Sequence, residues 1–159
     1  PAGSIKTNFH YNRAFSYPPD AKTDAAWGSI FPRGFGFIQH PVLAPNQSGI
    51  AVFHQLHCLN GLRKQYYLSL ERGSGTGGEF EAKNGETKDR NRSDPAHVRH
   101  CFDLLRQSLM CSADTNIEPV DSELGGITGW GSERKCRDFG TVFEWAGKWA
   151  YQDPLPETV

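Results

Sequence analysis

At 159 residues, with 37% hydrophobic, 12% aromatic and 22% charged residues, the chain can build one domain around a modest core. A net charge of −1 without a basic run argues against binding nucleic acid or an anionic membrane surface, and no apolar stretch approaches the length of a membrane span. With 17 Gly and 10 Pro, the composition describes a globular protein with much irregular backbone, not a tight bundle.

Residues 1–47 read as an N-terminal wrapping segment. Tyr17-Pro18-Pro19-Asp20 is expected to be extended, and Asp20 or Thr23 to cap a short helix running through Asp24 to Trp27. Residues 31–38 read as a turn followed by a short strand or extended segment, and Pro41 and Pro45 keep the next stretch in loop. Trp27, Phe35 and Phe37 are expected to enter the core.

Residues 48–151 read as a helical core. From about Ser48 to Leu70, Val52, Leu56 and Leu59 recur at i, i+4, i+7 and define one apolar face. His54, His57, Cys58 and Gly61 lie on the opposite side. Residues 73–92 are glycine-rich and charged, the signature of a flexible loop. A second helix starts with Asp94 as N-cap and Pro95 at the first helical position and runs to about Cys111. One of its faces carries His97, His100, Cys101, Leu104, Ser108 and Cys111, while Val98, Phe102, Leu105 and Leu109 pack elsewhere. Residues 125–131 are turn-like. A last helix is expected over 141–151, with Phe143, Trp145 and Trp149 as apolar anchors, before a tail at 152–159. The fold class is therefore mainly α, a single domain with two facing motif-bearing helices, long irregular loops and little β.

The two long helices carry a duplicated motif. HQLHCLNGLRKQ (residues 54–65) and HVRHCFDLLRQS (97–108) share both histidines, the cysteine and a Leu-Arg pair. Histidines three apart on a helix point the same way. Two such pairs on facing helices are expected to converge four imidazoles, His54, His57, His97 and His100, on one metal ion. Such a donor set suits copper, zinc or iron and not magnesium or calcium.

The cysteines leave two versions open. In one, Cys58 and Cys101 join two histidines in a closed, structural zinc site. In the other, a Cys58–Cys101 disulfide staples the helices and leaves four histidines for a more reactive metal. Cys101 and Cys111 are about 15 Å apart along one helix, too far to bridge, so Cys111 would pair with Cys136. The sequons at Asn46 and Asn91 lean toward a secretory compartment. Asp114 reads either as a carboxylate partner for an imidazole N–H or as a turn residue after the helix. His10 and His40 fall in loops, with His40 a candidate fifth ligand. No GxSxG, HExxH, P-loop or GxGxxG pattern occurs.

The doubled HxxHC resembles the UstYa-like family of fungal biosynthetic proteins. Val52-Phe53 before the first copy, residues 105–115 after the second, Tyr17-Pro18-Pro19, residues 23–27 and Cys136-Arg137-Asp138 add to the likeness. The resemblance implies oxidative tailoring of fungal natural products, peptide or small-molecule, by cyclisation, hydroxylation or halogenation with dioxygen or a related oxidant. It also implies copper held by His54, His57, His97 and His100. It implies a lumenal or extracellular domain behind an N-terminal membrane anchor, and homo- or hetero-oligomers as an option. One departure stands out: Arg134 occupies the place, two residues before the last cysteine, where the family often has histidine. The competing readings are a non-catalytic zinc-stabilised binding module and a metal-free cyclase or epimerase using histidine acid–base chemistry.

Overall fold

The computed structural model describes residues 5–75 and 95–149. Its elements are α1 (Ala21–Ser29), β1 (Phe37–His40), β2 (Ala44–Ile50), α2 (Ala51–Gly75), α3 (Pro95–Ser112), β3 (Ile117–Pro119) and α4 (Phe139–Lys148), preceded by a 3-10 turn at Arg13–Phe15. The mainly helical class with little β holds. The expected loop at 73–92 lies outside the described residues from Thr76 onward, as do the Asp94 cap and the sequon at Asn91.

α1 begins where its capping residues dictate. The Asp20 carboxylate accepts the Thr23 N–H at 2.6 Å, and the Thr23 hydroxyl accepts the Asp20 N–H at 2.8 Å. This box aims Trp27 inward, where it is 1% exposed and donates its indole N–H to the Phe15 carbonyl. Phe15, Trp27, Leu59 and Phe102 form the core cluster, with Phe15 and Trp27 edge-to-face at 5.7 Å. Val52, Leu56 and Leu59 are buried as their spacing predicts.

Two buried arginines tie the N-terminal segment to the helices, and they are the matched arginines of the repeat. Arg63, fully buried, donates to the Tyr17 carbonyl and to the Asn60 side chain and lies 5.6 Å over the Trp27 ring. Arg106 donates twice to Asp103 and lies 3.9 Å over the Phe15 ring. Asp103, 1% exposed, also accepts the Asn12 N–H. Burial lowers the Arg63 pKa, against the neighbouring Asp24 carboxylate, which raises it.

Three expectations are corrected. Phe35 and Phe37 are 69% and 41% exposed and line a cavity instead of joining the core. Residues 44–50, read as loop up to residue 47 on account of Pro41 and Pro45 and as the start of the helix from Ser48, form β2, the middle strand of an antiparallel sheet ordered β1-β2-β3. Pro45 is tolerated because β3 pairs only with Ser48, Gly49 and Ile50, so no partner on that side needs its missing N–H. Phe143, Trp145 and Trp149 are 69%, 65% and 66% exposed and anchor nothing among the described residues.

The first turn of α2 is closed by backbone that follows α3. The Ala51 and Val52 N–H groups donate to the Asn116 and Asp114 carbonyls, both at 2.9 Å. Fourteen residues further along α2, Tyr66 meets Phe102 of α3 edge-to-face at 5.8 Å. The two helices therefore run antiparallel, with the start of α2 beside the end of α3.

Candidate functional site

The antiparallel register decides where the histidines fall. Both HxxHC motifs lie near the N-terminus of their helix, so they sit at opposite ends of the pair, about 20 Å apart by helical rise. Among the described residues, no three of His, Cys, Asp and Glu come together at metal-binding distance. The structure brings His54 beside His57, and His97 beside His100 (ring centroids 6.3 Å apart), and does not bring one pair to the other.

The two ends differ in their surroundings. His54, about one quarter exposed, forms a 2.8 Å hydrogen bond through Nδ1 to Glu118 Oε2, and Glu118 is itself buried. Glu118 Oε1 accepts from Arg134, whose guanidinium also donates to the Gly129 carbonyl at 2.9 Å and pairs with Asp114 at 3.4 Å. Gly129, at φ +80°, passes so close that a Cβ there would stand 3.4 Å from the His54 ring. With Nδ1 engaged by a carboxylate, His54 has Nε2 left for chemistry.

His54 and His57 open onto a cavity of about 500 Å³ whose other walls include Phe31, Phe35, Phe53 and Ile127. Phe31 stands 5.8 Å from Phe35 and 6.2 Å from Phe53, so one side is a continuous aromatic surface. Gly36, buried at φ +88°, allows this wall: a Cβ there would collide with Phe53. At the other end, His100 is exposed and His97 half-buried.

The remaining candidates are placed as follows. Asp114 makes no bond to an imidazole. Its carboxylate accepts from the backbone and side chain of Asn116 and from Gln55, the turn arrangement of a residue following a helix. Burial alone would raise its pKa, but the Asn116 and Gln55 hydrogen bonds and the Arg134 charge outweigh it and hold the carboxyl below its ordinary value. His40 is exposed and accepts from the Val42 and Leu43 N–H groups, and His10 is also exposed. Cys58, Cys101, Cys111 and Cys136 are free thiols. Cys58 and Cys101 lie in different turns of the antiparallel pair, whereas Cys136 adjoins the segment just after Cys111, where Asn116 bonds the Lys135 backbone in both directions. Asn46 is exposed on β2.

The sequence reading missed Glu118 and the phenylalanine wall. Glu118 lies 64 residues from His54, so no spacing rule links them.

A family model described as "Mycotoxin biosynthesis protein UstYa" matches residues 46–148. The chain belongs to the UstYa family. It is similar to the UstYa family oxidase phomYb of Diaporthe leptostromiformis, 36% identical over 155 residues, covering 87% of this chain and 55% of that protein. It is 37% identical over 127 residues to the oxidase ustYa of Aspergillus flavus, covering 72% and 52%. The hydroxylase cctR of Talaromyces islandicus is 32% identical over 97 residues, covering 61% and 31%. The chain thus spans about half the length of the first two. No solved structure matches it.

Proposed function

We propose that this chain is the working domain of a copper-dependent oxidase that tailors a fungal peptide or small-molecule natural product. The observation that carries this reading is His54, held by a buried carboxylate and opening with His57 onto an aromatic-walled cavity, in a chain whose relatives are named oxidases and hydroxylases. The cavity would take an apolar part of the substrate and displace water from it. Glu118 would keep His54 in the tautomer whose free nitrogen is Nε2, and Arg134 would hold Glu118 in place. Ring closure at a C–H or phenol group is the reaction we favour, ahead of hydroxylation and halogenation.

Imidazole nitrogen is a suitable donor for copper, but the described residues do not bring together enough ligands for it. Sites built for such metals draw on three or four protein ligands, and each end of the α2–α3 pair offers two imidazoles. No step is therefore routed through the metal.

The test is metal analysis of protein purified without chelators, with an electron paramagnetic resonance spectrum after oxidation. Copper with nitrogen splitting, lost in His54→Ala, is the expected result. Stoichiometric zinc with no copper uptake would sink the oxidase reading. The His54–Glu118 pair favours one second reading, proton transfer at His54 without metal. Undiminished activity after chelation, abolished in His54→Ala, would establish that alternative.

A further inference from the structure

We infer that Ile127 determines the size of the apolar group the cavity accepts, by filling the space that Gly49 leaves on the sheet between the aromatic wall and the Glu118 carboxylate. The inference rests on the reading that the cavity takes an apolar part of the substrate, and it assigns the selectivity of that site to one side chain.

Strand register puts Gly49 in the middle of a cross-strand row. It pairs with Phe37 of β1 on one side and with Glu118 of β3 on the other. Residues opposite each other on antiparallel strands project from the same face of the sheet. On that face Phe37 borders the cavity and Glu118 reaches His54. Gly49, buried, has no side chain to place between them. Ile127, arriving from the segment after β3, lies there instead: a Cβ at Gly49 would collide with its Cδ1 and stand 3.4 Å from its Cγ1. Ile127 thus lines the cavity over the strand position that separates the phenylalanines from the Glu118–Arg134 pair.

The backbone on either side of Ile127 is tied down. Before it, the Asp121 N–H donates to the Gly126 carbonyl at 2.8 Å and the Gly125 N–H to the Asp121 carbonyl at 2.9 Å. The Asp121 carboxylate also accepts the Glu123 and Leu124 N–H groups. After it, the Gly129 carbonyl accepts from Arg134 at 2.9 Å. A wall fixed at both ends discriminates by the length of its side chain, where a loose one would yield to the ligand. On the aromatic side, Phe31 packs against both Phe35 and Phe53, so the boundary there is shared among three rings. At Ile127 it falls to one residue.

The probes are benzene and its n-alkyl derivatives up to hexylbenzene, titrated into the full chain by calorimetry, with the His54 ring resonances reporting where they bind. Wild type should gain about fourfold in affinity per added methylene until the chain meets Ile127, and nothing beyond. Ile127→Ala should extend that rise by about two methylene groups, and Ile127→Phe should end it earlier. Gly49→Ala should also end it earlier, because the new Cβ drives the Ile127 Cδ1 into the cavity. Gly49→Ala/Ile127→Val, which lacks that Cδ1, should return toward the wild-type limit. The same limit in folded wild type, Ile127→Ala and Ile127→Phe overturns the inference and leaves the cavity reading standing. Probes that bind none of the folded proteins, or bind without moving the His54 resonances, overturn the cavity reading and the inference with it.

Discussion

The two copies of the repeat share their residues but not their surroundings. Around α2, the first histidine meets a buried Glu118, an arginine clamp and an aromatic cavity; around α3, His97 is half-buried and His100 exposed, and among the described residues no carboxylate or arginine is shown bonded to either. The arginines of the same repeat behave alike, both buried against aromatic rings of the N-terminal segment. The duplication therefore serves two purposes: its Leu-Arg half builds the scaffold symmetrically, and its His half is set into unequal environments.

The scaffold half gives the largest expected effect. Arg63→Ala removes the donor to the Tyr17 carbonyl and the cover over Trp27, and should cost about 3 kcal/mol of stability in urea unfolding. Arg106→Ala should cost a similar amount, since it leaves the buried Asp103 carboxylate without its cationic partner. A large loss at one and none at the other would break the symmetry argued for the arginines.

The cavity end comes next. Gly36→Ala should destabilise by about 2 kcal/mol, through the left-handed backbone and the collision with Phe53. No residue of the α3 motif carries a comparable constraint.

A direct comparison of the histidines is smaller. Glu118→Gln should cost about 1–2 kcal/mol, by weakening its bonds to His54 and Arg134. In metal-free protein it should also shift the His54 ring nitrogen resonances. His100→Ala should stay within about 0.5 kcal/mol of wild type, as at other exposed positions. Equal costs at both ends would mean that Glu118 holds nothing.

The smallest effect depends on pH. The folded-state pKa of Asp114 is depressed, so its contribution is present above the unfolded value, about 3.9, and is lost as pH falls through the lower folded value. Asp114→Asn should therefore be less stable than wild type near pH 6, by about 1 kcal/mol, with the gap closing as pH falls below the unfolded value and through the lower folded one. A gap that stays constant with pH would assign the difference to packing.

Much of the framework was legible in the sequence. The Asp20–Thr23 box, the buried line of Val52, Leu56 and Leu59, and the start of α3 at Pro95 all follow from local rules. What failed was direction. Periodicity assigns His57 and His100 to faces but says nothing of which way neighbouring helices run. Yet both motifs lie near helix starts, and consecutive packed helices are commonly antiparallel, a signal that would have placed them at opposite ends. Glu118 was invisible for another reason: it reaches His54 only because the chain turns back after α3 and lays β3 beside β2. The exposed Phe35 and Phe37 looked like core by composition, and only the sheet shows them bordering a cavity.

The reach of the N-terminal segment into the core has a practical consequence for anyone cutting this protein. The stretch matched by the family model starts at residue 46, but Phe15 and Trp27, half of the four-residue core cluster, come before it. A recombinant fragment trimmed to the matched boundary would expose Arg63, Arg106, Leu59 and Phe102 together, and would be expected to aggregate before any chemistry could be assayed. Expression boundaries belong upstream of His10, whose backbone N–H and carbonyl both bond to the Gln107 side chain on α3. Proteolysis between residues 30 and 45 should likewise leave the two pieces associated, the shorter one acting as a removable half of the interior.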